Sequence, residues 1–154
     1  MRQVLSQEGH TINALPPIDI NGGANSDVFS MKDCSHVTIF VTTGVVAAAS
    51  TITVEECDDF TPTNSTAIAF KLAKEITAGG DTLAALAAVA ATGFAISTNN
   101  NCTYVIEVDA ENLTTGYNNI RVVCSDPSAS VIMSIVAVQT GLCYAGDTNR
   151  TQIA

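Results

Sequence analysis

The chain has 154 residues, of which Ala, Thr, Val and Ile supply 68, and its charged fraction is 14 %, against about 25 % in an average soluble domain. Fifteen Asp and Glu against six Lys and Arg give a net charge of -9, which leaves no basic footprint for nucleic acid or for an anionic membrane surface. A hydrophobic content of 47 % can build a core and excludes disorder, the length suits one domain, and no apolar run approaches the roughly 20 residues that span a bilayer.

The N-terminal stretch differs from the rest. Met1-Arg2-Gln3 is followed by Ser6, Gln7, Glu8 and His10, so the continuous apolar run of a secretory signal is missing. The protein is therefore expected to stay where it is made or to leave by lysis or assembly. In Leu15-Pro16-Pro17-Ile18-Asp19-Ile20 the two prolines forbid helix and favour extended backbone. Gly22-Gly23 and Asn25-Ser26-Asp27 then make a turn. Residues 1–27 read as an extended arm that packs on its own domain or crosses to a neighbour. Read as an arm, the segment would be dispensable for folding.

Strand signals begin at Val28. His36-Val37-Thr38-Ile39-Phe40-Val41-Thr42-Thr43 is β-branched and aromatic, with Val37, Ile39 and Val41 on one face and His36, Thr38, Phe40 and Thr42 on the other. Residues 51–55 alternate in the same way. Residues 67–72 bring Ile68, Phe70 and Leu72 together, and 104–109 put Tyr104, Ile106 and Val108 inward with Glu107 and Asp109 outward. Residues 119–124 and 130–138 complete the set; the last is apolar on both faces and reads as a central strand or a subunit contact. Asn-, Asp-, Gly- and Pro-rich turns separate these runs at 58–64, 78–81, 97–101 and 125–128, the spacing of a sandwich or barrel. The Ala-rich stretch from Asp81 to Phe94 is ambiguous. Ala favours helix and Asp81 is placed to cap one, but the surrounding strands and the alternation Leu86, Ala88, Ala90, Thr92, Phe94, Ile96 favour a long strand, and strand is the slightly preferred reading. The predicted fold is all-β and antiparallel, a sandwich or barrel over 28–142, with the arm at 1–27 and a polar tail at 143–154.

Signals for chemistry are few. The five cysteines, Cys34, Cys57, Cys102, Cys124 and Cys143, lie far apart without a Cys-x-x-Cys pair or a Cys/His ligand cluster. They read as reduced and mostly buried thiols. Cys124 fits this best, while Cys57 and Cys143 lie nearer turns and are open to exposure. Four Asn-x-Ser/Thr matches, at Asn64, Asn101, Asn112 and Asn149, mark surface turns in a chain rich in Asn and Thr. Cys34 and His36 are two residues apart, but no third group orients them and no nucleophile elbow is present. Glu55, Glu56, Asp58 and Asp59 form one dense acidic cluster with the oxygen chemistry of a Ca²⁺ site. Their spacing is not that of a calcium loop, and a solvated strand end and turn accounts for them, so they stand as the weak metal candidates. Glu107, Asp109 and Glu111 alternate on one strand face, but a glycosidase pair works across a cleft, and with no Trp and three Tyr the aromatic platforms that bind sugars are scarce. No phosphate-binding loop or dinucleotide fingerprint is present. Neither an enzyme activity nor a cofactor is expected.

A compact β domain with few charges, an extended arm and a polar tail suits a structural subunit whose surface is covered by copies of itself or by a lattice. The stretches Asn13-Ala14-Leu15-Pro16-Pro17-Ile18-Asp19-Ile20-Asn21-Gly22-Gly23 and Asp27-Val28-Phe29-Ser30-Met31-Lys32-Asp33-Cys34-Ser35-His36-Val37-Thr38-Ile39 resemble the start of tailed-bacteriophage capsid decoration (cement) proteins of the jelly-roll type. Residues 51–56, 104–113 and 117–122 are similar to the same group, as a general pattern over most of the chain. The resemblance implies an oligomer on the outer surface of the phage head, bound to the major capsid protein and stabilising the shell by clamping neighbouring subunits. It implies contact with no nucleic acid and no membrane, synthesis in the host bacterial cytoplasm, and self-association as a dimer or trimer. Leu15, Pro16, Pro17, Ile18 and Ile20 of the arm and Tyr144 of the tail are the interface candidates. The alternative is another virion component: a tail-tube, head-fibre or receptor-binding adhesin module.

Overall fold

The computed structural model describes residues 5–77, 80–143 and Ile153. One helical turn, α1 (Leu5–Glu8), is followed among the described residues by twelve strands: β1 (His10–Asp19), β2 (Ala24–Asn25), β3 (Phe29–Ser30), β4 (His36–Val46), β5 (Thr51–Cys57), β6 (Ser65–Ile68), β7 (Phe70–Glu75), β8 (Ala87–Val89), β9 (Phe94–Ala95), β10 (Thr103–Asp109), β11 (Asn119–Cys124) and β12 (Val131–Thr140). A 3₁₀ turn, Ala110–Asn112, follows β10.

These strands make two antiparallel sheets. The first has the order β1-β12-β4-β10-β7-β8; the second has β2-β11-β5-β6, with β3 also on β11 and β9 also on β5. The chain crosses from one sheet to the other at eight of its eleven connections, and its first and last strands are neighbours. That is the winding of a jelly-roll sandwich.

Alternation builds the core. Val37, Ile39 and Val41 of β4, Tyr104, Ile106 and Val108 of β10, and Met133, Ile135 and Ala137 of β12 turn inward and are buried. From the second sheet Ile52, Val54, Ile120 and Val122 meet them, with Phe29 and Ile20 closing the gap. Phe94 links the rings of Phe70 and Tyr104, with centroids 6.2 and 5.3 Å away, a spacing at which aromatic pairs attract beyond their buried area. The buried Tyr104 hydroxyl is satisfied by the Ser97 backbone N–H, which donates to it at 2.7 Å.

The extended N-terminal segment takes the first of the two courses open to it. Residues 10–19 form β1, the outer strand of the first sheet, paired along β12 from His10 opposite Gln139 to Asp19 opposite Ile132. Ile12, Ala14, Leu15 and Ile20 are buried in the domain's own core. This corrects the interface set. Leu15 and Ile20 are buried and do not face outward: Leu15 lies opposite Ile135 after a register shift that turns Ala14 and Leu15 inward in succession, and Ile20 follows the end of β1 into the core. Pro16, Pro17 and Ile18 stay exposed. Tyr144 lies outside the described residues.

Two sequence segments divide where periodicity suggested continuity. The run 67–72 is two strands, because the chain leaves the second sheet at Ile68 and enters the first at Phe70. Residues 81–94 form neither a helix nor a long strand. Residues 81–86 are irregular, β8 adds three residues to the open side of β7, and a turn at 90–93 carries the chain to β9 on the second sheet. Ala propensity loses here because a helix would find little to pack against, with Leu83 and Leu86 exposed, while the open edge of β7 pairs residues 87–89. Gly93 makes the turn at φ 77°, and a Cβ there would strike the Ile52 carbonyl oxygen.

Two outcomes follow. Gly93→Ala should lower stability by about 2 kcal/mol in denaturant unfolding, the cost of a strained backbone position. Deleting residues 1–22 should abolish the cooperative thermal transition. Removing the buried Ile12, Leu15 and Ile20 forfeits roughly 5–9 kcal/mol of burial, comparable with the whole stability of about 5–15 kcal/mol of a domain.

Candidate functional site

The outer face of the first sheet holds the features a partner could read. Phe40 on β4 lies opposite Val105 of β10 and Val136 of β12, Thr42 opposite Thr103 and Ser134, and Thr38 opposite Glu107 and Val138. This register divides the face into two halves.

The half made by β1, β12 and β4 is uncharged. Between the histidines at one end and Asp19 at the other, the outward positions of these strands carry no ionised group. Phe40 is 38 % exposed, Ile132 37 % and Val45 59 %. Val45 is turned out by a β-bulge: Val131 pairs with Val46 and Met133 with Thr43, so Gly44 and Val45 together face Ile132. An extra residue of this kind re-aims the side chain it carries. Between the apolar groups, the hydroxyls of Thr42 and Ser134 bond each other at 2.6 Å. At the margin, Pro16 and Pro17 remove N–H groups from β1 and blunt that edge against strand addition.

The half made by β10 and β7 is charged. His36 stands at the start of β4, opposite Asp109. Its Nδ1 lies 2.6 Å from Asp109 Oδ1 and its Nε2 2.7 Å from Glu107 Oε2, and Thr38 Oγ1 donates to the same Glu107 oxygen at 2.7 Å. An imidazole can bond two carboxylates at once only when both nitrogens carry protons. Burial pulls the His36 pKa down and is the largest single influence. The hydrogen bonds to Asp109 and Glu107 and the charges of both outweigh it together, so the pKa is raised above its ordinary 6.5. His36 therefore ties β4 to β10 as a cation between two anions.

The other sequence candidates do not converge. Glu55 and Glu56 lie on opposite faces of β5. Glu55 accepts from Arg121 Nε at 2.9 Å and Nη2 at 2.7 Å, while Glu56 is buried and accepts the Thr114 N–H at 2.7 Å. Asp58 accepts from Thr63 and Asn64 across the following turn, and Asp59 accepts the Phe60 N–H. The Asn64 side chain and backbone, then the Thr63 N–H, hold the Asp58 carboxyl below its usual pKa. Each carboxylate of the proposed Ca²⁺ cluster is thus committed to a different neighbour. Among the described residues, no three His, Cys, Asp or Glu are disposed to hold a metal ion.

Cys34 and His36 are not a pair either. The Cys34 thiol lies inside, 3.6 Å from Met31 Sδ, and burial pushes its pKa up to about 11. Cys124 lies 3.5 Å from Met133 Sδ, its pKa pushed up to about 12 by burial. Cys57 is buried despite its place before a turn, and Cys143 is exposed. Sequence reading placed Phe40, Glu107 and Asp109 on outward faces but did not join them with Val45 and Ile132. The joining depends on the bulge and on strand order, for which local periodicity carries no signal.

No family model and no curated protein matches the chain. Among solved structures it is similar to the SPBc2 prophage-derived protein YomS, with a TM-score of 0.50 and 11 % identity over 86 % of this chain and 94 % of that one. Structures of infectious bursal disease virus, Gt and Gx strains, align with TM-scores of 0.25 and 0.23 at 12 % and 13 % identity. These alignments span 85 % of this chain and 35 % and 39 % of those chains, and at such scores they carry no argument. The likeness to YomS is one of fold.

The His36 cluster makes stability depend on pH. Its folded-state pKa is raised, so its contribution is fully present below the unfolded value near 6.5 and is lost as pH rises through the folded value. His36→Gln should therefore lower the thermal midpoint more at pH 6 than at pH 9. The cluster is open to water, and screening limits the difference to about 1 kcal/mol. Equal losses at the two pH values would show that the imidazolium is not the stabilising species.

Proposed function

We propose that this protein is a structural virion component of a bacteriophage, without enzymatic activity, that binds the outer surface of the capsid. There it stabilises the shell by clamping neighbouring major capsid subunits. The observation that carries this reading is the uncharged outer half of the first sheet, where Phe40, Val45 and Ile132 are exposed on a chain of net charge -9. Interface centres are depleted of charge and rich in apolar and aromatic side chains. The jelly-roll fold shared with a prophage-derived protein and the resemblance of the sequence to capsid decoration proteins support the same conclusion.

The mechanism is adhesion. Pro16, Pro17 and Ile18 extend the uncharged face along β1, so these three exposed candidates belong to the same contact. One copy bridges two capsid subunits, and neighbouring copies, associating as an oligomer, raise each other's effective concentration on the lattice. The negative charge suits an outside position, away from the packaged DNA.

The test uses undecorated heads of the phage that encodes the protein. Wild-type protein should saturate them, as read by co-sedimentation and by electron microscopy. Val45→Asp and Phe40→Lys should each weaken binding at least tenfold, about 1.4 kcal/mol. Thr66→Lys, on the exposed edge of the second sheet, should not. Unchanged decoration by both face variants would refute this docking face.

A further inference from the structure

A second surface lies at the opposite margin of the first sheet. Among the described residues β8 has a hydrogen-bonded neighbour on one side only. In an antiparallel strand alternate backbone N–H and C=O groups point away from the existing partner, so β8 presents polar groups along its free edge. Natural edges are usually blunted by charge, proline or a bulge. β1 is blunted by Pro16 and Pro17. β6, at the edge of the second sheet, starts at the turn that Asp58 closes through Asn64, beside Asp59. The β8 margin has no such device. Residues 82–106 contain no Asp, Glu, Lys, Arg or His, Ala87 and Ala88 are exposed, and Leu83 and Leu86 beside them are 46 % and 52 % exposed.

Charge decides what fits this edge. Copies of a chain of net charge -9 repel one another, so they meet best where no acid faces an acid. The charged residue opposite β8 is Lys71, which pairs with Ala88. If two copies join at β8, their Lys71 side chains stand three strand spacings apart, about 14 Å, beyond the Debye length of about 8 Å at physiological salt. Symmetry fixes the register. Two adjoining antiparallel copies are related by a two-fold axis perpendicular to the sheet, which keeps outward residues opposite outward ones. Successive side chains alternate between faces. Ala88 shares the outward face with Lys71, whereas Ala87 and Val89 share the inward face with Leu72 and Phe70. Full overlap of β8 with its copy therefore sets Ala88 opposite Ala88 on the axis and Ala87 opposite Val89. None of these side chains is large enough to hold two sandwiches apart.

We propose that β8 pairs antiparallel with β8 of a second copy, so that the two first sheets run on as one across a molecular two-fold axis at Ala88. Main-chain hydrogen bonds hold the joint, as in other cases of strand addition, and the exposed Leu86, two positions from the axis, is brought beside the second copy. A contact centred on three residues is small beside the interface of a permanent dimer, so the association depends on concentration. The pairing gives the self-association of the shell-binding reading a specific surface, and it rests on that reading only for its purpose. It is measured without heads, so self-pairing and shell binding fail separately.

The experiment uses the full chain. Sedimentation velocity over rising concentration should show a monomer–dimer equilibrium, and the amides of residues 87–89 should shift with concentration and exchange more slowly in the dimer. Ala88→Lys sets two ammonium groups directly opposite each other and should weaken dimerisation about fivefold, the scale of a like-charge pair across a strand boundary. Ala88 is exposed, so that variant should keep the wild-type circular dichroism spectrum. Fluorescently labelled Ala88→Lys should pair with Ala88→Glu more tightly than with itself, a rescue that requires residue 88 of one copy to approach residue 88 of the other. Val45→Asp, on the shell-binding face, should dimerise as the wild type does. A chain that stays monomeric at millimolar concentration, a trimer, or no rescue by Ala88→Glu would overturn the proposal. So would a dimer that survives Ala88→Lys and is lost in Val45→Asp, which would move the contact to the Phe40 face. Weaker head binding by Ala88→Lys, with no self-association of the wild type, would overturn it in favour of a strand of the shell protein.

Discussion

The register of β4 is the constraint on which the other features depend. This strand lies between β10 and β12, and both pairings hold Val37, Ile39 and Val41 in the core. A strand with one buried face resists slippage, because a shift of one residue exchanges its two faces. Here a slip would carry the core residues into water and Thr38 and Phe40 into the interior. The same register sets His36 opposite Asp109 and within reach of Glu107, so the ionic cluster follows from hydrophobic burial. The imidazolium then reinforces the pairing at the start of the strand, where β4 has no further apolar residues to fix it. At the other end the bulge relaxes the register by one residue, and Val45 turns outward without moving Val46 from the core.

The two margins of the first sheet differ in their chemistry. β1 is long, carries two adjacent prolines and contributes buried side chains on its inner face. Such a strand closes the sheet. β8 has three residues, and residues 83–91 around it are almost all small and apolar. Its weak hold on the fold follows from composition, since Ala brings little area to bury and no group to anchor. An edge of this kind is a liability in isolation and is better suited to pairing with another strand than to facing solvent.

The sequence made the strands legible where side chains alternate between unlike environments. The buried faces of β4 and β10 and the outward carboxylates Glu107 and Asp109 lie where period-two reading placed them, and the turn spacing pointed to an all-β sandwich or barrel. Three features were not legible, each for a physical reason. The break at Ala69 separates two strands of the same inward pattern, so alternation runs through it unchanged. The fate of 83–91 is decided by an open edge on β7, which is distant information for a segment whose own propensity is helical. The candidate site is spread over β1, β4, β10 and β12, and residues 10 and 139 become neighbours only when the sandwich closes. Local pattern fixes which face a residue takes, while its neighbour across the sheet depends on topology.

An uncharged exposed face raises a solubility problem that the distribution of charge resolves. Apolar patches on free monomers invite association, yet apart from Asp19 at its margin, opposite Ile132, the acidic residues behind the net charge of -9 lie off this face. Asp33, Asp58, Asp59, Asp109 and Glu111 cluster near the end of the sandwich at which β5 and β10 finish, well away from Val45 and Ile132. Between free copies in solution this charge adds repulsion and opposes aggregation. Repulsion between exposed charges fades beyond a Debye length of about 8 Å at physiological salt, so two neutral faces held on a lattice feel less of it than two molecules colliding at random orientation. A face kept free of charge and a far end loaded with it therefore belong together. On the proposed function, the first permits close contact with the shell and the second keeps the protein dispersed before it docks.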